Sequence, residues 1–202
     1  MRSAFQRLGY ISVLCAASVS LVSCSSSSLS QQKHAQFCQR HDYHSSLEVY
    51  RDEALLQQAN GSNTRVRIDI SDQRAQLLVG DKQEVAMDLP CCTGKAGKRT
   101  PVGTYPIKKK IAAKRSNIFG SLYKNGRQVH RGDRRKYRGS YDRFVGSSLP
   151  YWMRLTDSGI GMHYSAYVHR HPGSNGCVRM PREAVRTIFA KTLVGTPVDI
   201  VH

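Results

Sequence analysis

Acidic residues are scarce in this chain. Fourteen Asp and Glu stand against 31 Lys and Arg in 202 residues, a formal charge of +17. That imbalance argues against cationic partners and for polyanions: nucleic acid, phosphorylated lipid or an anionic cell-wall polymer. Long apolar runs are also missing, because the uncharged stretch Leu8 to Val22 is too short to cross a bilayer comfortably. No repeat and no heptad recurs, which removes solenoids and coiled coils. Thr93 to Ile107 carries three glycines and several cations, yet its spacing fits no Walker pattern. Pro101 also stands where a phosphate-loop helix should start, so this segment reads as a tight loop entering a strand. The length still suffices for one domain with a core.

What is present at the N-terminus reads as an export signal. Arg2 and Arg7 form a basic region ahead of the apolar run. Leu21-Val22-Ser23-Cys24 resembles the bacterial lipobox. That resemblance implies cleavage before Cys24, lipidation of its sulfur, and anchoring by acyl chains at ~0.8 kcal/mol per buried methylene. Ser25 after the cysteine favours, in that class, the outer membrane facing the periplasm. The expected organisation is a signal peptide over 1–23, a lipidated tether with a short helical segment over 24–63, and a folded domain over 64–202. Cys15 leaves with the signal, so Cys38, Cys91, Cys92 and Cys177 remain in an oxidising compartment. Cys91 and Cys92 point to opposite faces of a strand, so at most one could bridge to Cys38, and the pairing stays open.

Residues 45–59 read as a helix with a weak apolar face, a spacer or a lid, ended near Asn60-Gly61. Clean alternation begins with Arg65-Val66-Arg67-Ile68-Asp69-Ile70 and continues through 75–79 and 83–92, separated by Ser71–Arg74 and Gly80–Lys82 turns. This is a meander of short strands. Residues 108–143 hold 13 Lys or Arg against Asp133 and Asp142, interleaved with Phe119, Tyr123, Tyr137 and Tyr141. For an exported protein they read as a basic insertion framing a pocket and touching anionic wall polymer or lipid phosphates, rather than as a nucleic-acid surface. Strands follow at 151–155 and 160–163, then a helix from Pro181 to Ala190 burying Val185, Ile188 and Phe189, and a closing strand at 198–201. The fold class is mainly β with one helix in the C-terminal half.

The chemistry-bearing residues lie in Gly159-Ile-Gly-Met-His163-Tyr164 and Ser174-Asn-Gly-Cys-Val-Arg-Met-Pro181. A thiol attacks a carbonyl carbon as the thiolate, and a neighbouring imidazole supplies that form. Cys177 is the candidate nucleophile and His163, at a strand end, the candidate base. Ser174, Asn175 and Gly176 make the turn, and the amides of Gly176 and Cys177 are candidates to face an oxyanion. Arg179 either holds the turn, the favoured role, or meets a substrate carboxylate.

With Arg99-Thr-Pro-Val-Gly-Thr-Tyr-Pro-Ile107 and Pro150-Tyr-Trp-Met-Arg-Leu-Thr156, these motifs resemble the YkuD-type L,D-transpeptidase catalytic domain over residues 64–202. The resemblance implies a β-sandwich-like fold and action on peptidoglycan stem peptides. It implies a thioester on Cys177, release of the terminal D-residue, and transfer to an amine as a 3→3 cross-link or protein attachment. Hydrolysis by water, an L,D-carboxypeptidase reaction, is the family alternative. Two positions depart from the family pattern. Asn175 replaces a histidine, so His163 bears the base role alone. Tyr164 replaces a glycine and is expected either to narrow the pocket or to serve structurally. No cofactor and no metal are expected. A zinc metallopeptidase using His163, His169, His171 and Cys177 lacks an acidic partner between Gly159 and Arg182. A non-catalytic, lipid-anchored wall-binding protein is the remaining alternative.

Overall fold

The computed structural model describes residues 28–202. The signal segment and the lipobox cysteine Cys24 lie outside the described residues. In chain order the elements are α1 (Leu29–Cys38), β1 (Tyr50–Arg51), α2 (Glu53–Gln58), β2 (Thr64–Asp69), β3 (Arg74–Val79), β4 (Glu84–Pro90), β5 (Gly103–Pro106), β6 (Lys109–Lys124) and β7 (Arg127–Asp133). A single 3-10 turn at Arg134–Lys136 leads to β8 (Arg143–Arg154), β9 (Gly161–Tyr164), β10 (Val178–Met180), α3 (Arg182–Lys191) and β11 (Pro197–Val201).

One sheet has the order β1-β4-β3-β2-β11-β5 and the other β10-β9-β8-β6-β7. In β2 the alternation holds, with Val66 and Ile68 wholly buried and Arg67 exposed. Val66, Ile68, Leu77, Met87 and Leu89 of the first sheet share one core with Met153, Met162, Val178 and Met180 of the second. Helix α3 adds Ala184, Val185 and Ile188 to that core, with Phe189 packed at its margin. Pro181 precedes the helix as its N-cap rather than opening it. Lys110 of β6 donates to the Phe189 and Thr192 carbonyls, placing a cation at the C-terminal end of α3.

Two expectations need correction. The helix expected over 45–59 exists only as α2. Tyr50 and Arg51 instead pair with Asp88 and Met87 on the edge of β4, and Asp52 caps the short helix through the Leu55 amide. A second helix forms earlier, at α1, within the segment expected to be tether. Its N-terminus is a capping box in which the Ser28 side chain takes the Gln31 amide and the Gln31 side chain takes the Ser28 amide. This N-terminal segment is packed on β4, burying Phe37, Tyr43, Leu55 and Leu56.

The second correction concerns residues 108–143. They are strands of the second sheet, not an insertion into it, with β6 paired to β8 from Lys109↔Arg154 to Tyr123↔Arg143. The register jumps between Arg115 and Gly120. There the strands approach so closely that a Cβ on Gly120 would lie 2.2 Å from the Val145 carbonyl oxygen, and one on Gly146 would lie 2.0 Å from that of Ser116.

A buried polar network fixes the N-terminal segment to the first sheet. Asp88 of β4 is fully buried, and Arg74 nearly so. Arg74 Nε donates to Asp88 Oδ1 (2.7 Å), and Tyr43 Oη and Gln76 Nε2 each donate to Oδ2 (3.0 Å). His34 Nε2 meets the same Oδ2 at 2.9 Å. Burial alone would raise the Asp88 carboxyl, but His34, Arg74 and Gln76 outweigh it and hold the group below its ordinary value. The Arg74 guanidinium also lies over the Tyr43 ring, 4.6 Å from its centroid. Arg74→Met leaves a buried carboxylate without its cation, so it should destabilise the fold by about 3–5 kcal/mol in urea unfolding. A loss below ~1 kcal/mol would show the pair to be dispensable.

Candidate active site

Strands β9 and β10 run parallel, with Val178 opposite Met162, Arg179 opposite His163 and Met180 opposite Tyr164. Side chains alternate along each strand. Met162, Val178 and Met180 therefore enter the core, while His163, Arg179 and Cys177, the residue before β10, turn into a cleft on the other face. The cleft measures about 640 Å³. Its opposite wall is β6 and β8, contributing Lys114, Ile118, Leu149 and Trp152 among others. The basic segment thus does frame the pocket, as a wall of the sheet itself. None of the lining residues comes from the N-terminal segment, so that segment is no lid.

The turn carrying Cys177 is held from three sides. Ser174 Oγ accepts the Gly176 amide (3.0 Å) and donates to the Cys177 carbonyl (2.5 Å). Thr100 Oγ1 accepts the Gly94 amide (2.9 Å) and donates to the Gly176 carbonyl (2.8 Å). The Thr93 carbonyl takes the amides of Gly173 and Ser174. The glycine-rich loop therefore cradles the cysteine turn instead of a phosphate. Gly176 has φ +116°, a conformation L side chains rarely adopt, so glycine is required there. Its amide is committed to Ser174, which leaves the Cys177 amide as the donor free to meet an oxyanion. Gly176 acts in the turn alone.

The imidazole of His163 is 6% exposed and lies 2.7 Å from the Tyr164 carbonyl through Nδ1. A carbonyl only accepts, so Nδ1 carries the hydrogen and Nε2 keeps the lone pair of a base. Burial pushes His163 down to about 4, against the pull of the Tyr164 carbonyl, and the Arg179 charge lowers it further. Burial likewise pushes the Cys177 thiol up, opposed by a bond from the Gly161 amide and by the Arg179 charge. The thiol itself points at the Gly159 carbonyl, 3.9 Å away. Burial thus opposes charge on both groups, favouring a neutral thiol and a neutral imidazole over a preformed ion pair.

The remaining sequence candidates separate. Asn175 is exposed at the cleft. Tyr164 turns away from it, packs against the core and carries the Arg182 guanidinium 4.3 Å above its ring, so it is structural and does not narrow the pocket. Arg179 has its backbone bridged to Cys92, while its guanidinium makes no hydrogen bond or ion pair among the described residues. It does not hold the turn through its side chain, which reverses the favoured expectation. His169 and His171 stack on each other in an exposed loop, 5.5 Å between centroids. They gather no metal-ligating group with His163 or Cys177. The anchoring roles of Thr93 and Thr100 were not read from the sequence, although Thr100 sits inside a motif that was singled out.

Residues 63–200 match the family model of the YkuD L,D-transpeptidase catalytic domain. The chain belongs to the L,D-transpeptidase family. Solved L,D-transpeptidases share its fold. One from Mycobacterium smegmatis is 18% identical at TM-score 0.52, covering 68% of this chain and 58% of that one. Mycobacterium tuberculosis L,D-transpeptidase 1 is 20% identical at TM-score 0.50, with 69% and 62% covered. Mycobacterium tuberculosis L,D-transpeptidase 3, solved with a faropenem-derived adduct, is 18% identical at TM-score 0.52, with 69% and 60% covered. The chain thus spans about three-fifths of the length of these relatives. No curated protein sequence matches it.

For this member of the L,D-transpeptidase family, burial of both groups has a measurable consequence. Alkylation of Cys177 by iodoacetamide in the free protein should rise with pH through an inflection above the ordinary thiol value of 9.0. A rate already at its plateau near pH 6 would instead reveal a thiolate–imidazolium pair.

Proposed function

We propose that this protein is a peptidoglycan L,D-transpeptidase working through Cys177 and His163. The observation that supports it is the alternation of β9 and β10, which turns a thiol, a basic imidazole and an unengaged guanidinium into one cleft. His163 Nε2 takes the thiol proton as sulfur attacks the carbonyl between the diamino acid and the terminal D-residue of a donor stem. The Cys177 amide meets the oxyanion. The C–N bond then breaks, the leaving amine takes the proton from His163, and a thioester remains. An amine of a neighbouring stem attacks that thioester, its proton passes to His163, and cleavage of the C–S bond restores the thiol. Arg179 binds a stem carboxylate; its positive charge also favours the thiolate over the imidazolium.

The site of action is the bacterial envelope, with the chain anchored through Cys24 to the outer membrane and facing the periplasm. The lipobox-like Leu21–Cys24 and a substrate that lies outside the cytoplasm support this address. Incubating the purified protein with tetrapeptide muropeptides should yield dimers linked 3→3, identified by mass. A carbapenem should add its mass to Cys177. Tripeptide alone would mean hydrolysis in place of transfer, and activity surviving Cys177→Ala would overturn the thiol mechanism.

The exposed cations beyond the cleft, Arg127, Arg131, Lys136 and Arg138, suit an anionic wall polymer. Changing all four to Gln should reduce retention on isolated cell wall, with the difference fading as salt rises. Equal retention at every salt concentration would remove that contact.

A further inference from the structure

We propose that His34, Cys38 and Asp88 form a site for a borderline-soft divalent metal ion, Zn²⁺ being the type ion, that fastens α1 to β4. Four residues apart on α1, His34 and Cys38 share one helix face, and that face is turned to β4. One ligand atom from each of the three residues lies within 4.8 Å of the others. His34 Nε2 is 2.9 Å from Asp88 Oδ2 and 3.4 Å from Cys38 Sγ. Metal bonds of about 2.0–2.1 Å to nitrogen and oxygen and about 2.3 Å to sulfur put tetrahedral N and O ligands about 3.3 Å apart, and N and S about 3.5 Å apart. The His34–Asp88 and His34–Cys38 separations are therefore within a few tenths of an ångström of coordination geometry, and the Cys38–Asp88 pair lies within 4.8 Å. Among the described residues no other trio of His, Cys, Asp or Glu gathers in this way.

The surroundings resemble those of a ligated carboxylate. Arg74 fixes Oδ1, while Tyr43 and Gln76 reach Oδ2, orienting the carboxylate toward α1 as outer-shell donors orient metal ligands. Asp88 is fully buried, whereas the His34 side chain keeps 15% of its surface and Cys38 is half-buried. That leaves an entry path and a fourth position for water. The guanidinium of Arg74 opposes a cation, and charge balance answers it. As the sulfur–metal bond forms, the Cys38 thiol releases its proton to solvent. The His34 hydrogen moves to Nδ1, so Nε2 exchanges the Asp88 contact for the ion. Thiolate and carboxylate together neutralise the divalent charge, and Arg74 then faces a neutral centre. Uptake releases one proton, so affinity rises with pH. The proposal stands independently of the acyl-transfer chemistry, since no residue is shared with the cleft.

The test uses the full chain in detergent, stripped with chelator, then titrated with Zn²⁺ against a chromophoric chelator and with Co²⁺ for its visible spectrum. The expected result is one ion per chain with a thiolate-to-cobalt band. Loss of outer-shell partners alone weakens metal sites by ~10–100-fold, so Cys38→Ser and His34→Ala should weaken binding by at least about 100-fold. Cys177→Ala should bind as the unaltered protein does, and the Co²⁺ band should vanish in Cys38→Ser alone of the two cysteine variants. Circular dichroism confirms that Cys38→Ser is folded, and that variant decides the matter if His34→Ala is not. Absence of stoichiometric uptake, equal affinity in Cys38→Ser, or loss of uptake in Cys177→Ala would each overturn the proposal.

Discussion

The parallel pairing of β9 with β10 is the constraint on which the rest depends. Two short strands in fixed register convert the period of a β-strand into a division of labour. Met162, Val178 and Met180 are wholly buried on one side. On the other side stand His163, Cys177 and Arg179. A slip of one residue in either strand would send a methionine into the cleft and an imidazole or guanidinium into the core. The core packing and the chemistry therefore enforce each other. The surrounding structure serves this pair: α3 packs beneath it, β8 flanks it, and the 93–100 loop grips the turn between its strands.

Desolvation gives the site its resting character. Burial disfavours the charged form of the His163 imidazole, and an uncharged imidazole is the form a base needs. The Cys177 thiol is disfavoured as an anion by the same burial. In the proposed reaction, proton transfer between them accompanies the arrival of a carbonyl instead of preceding it. The Arg179 charge favours the thiolate while opposing the imidazolium, and the guanidinium has no hydrogen-bond or ion-pair partner among the described residues, which leaves it open to an anion.

Strands β2, β3, β4, β9 and β11 and helix α3 were legible because their signals are local. Alternation in Arg65–Ile70, glycine turns, and the Pro181 helix start each act over a few residues. The cysteine and histidine were legible because their flanking motifs are distinctive. What escaped was mostly non-local. The Tyr164 side depends on a pairing made with a strand after a long loop, and the freedom of the Arg179 guanidinium depends on partners absent in space. The commitment of the Gly176 amide to Ser174 is local but turns on hydroxyl geometry that residue types do not encode. Helix α1 was missed for another reason. Its apolar pattern is weak, and the Ser28–Gln31 capping box is its one clear sequence mark. The fate of residues 45–59 followed from Tyr50, whose extended backbone found an open edge at β4.

The outer edge of β10 bears one further consequence. Cys92 and Arg179 exchange both backbone hydrogen bonds at 3.0 Å, so the first sheet's loop closes the border of the second sheet. A border closed in this way cannot accept an incoming peptide as an added strand. A ligand beside Cys177 then meets the side chains of the cleft and the Cys177 amide without a backbone ladder at this edge. Molecules with little ordinary peptide backbone lose nothing by this, whereas extended L-peptides forgo their usual means of purchase.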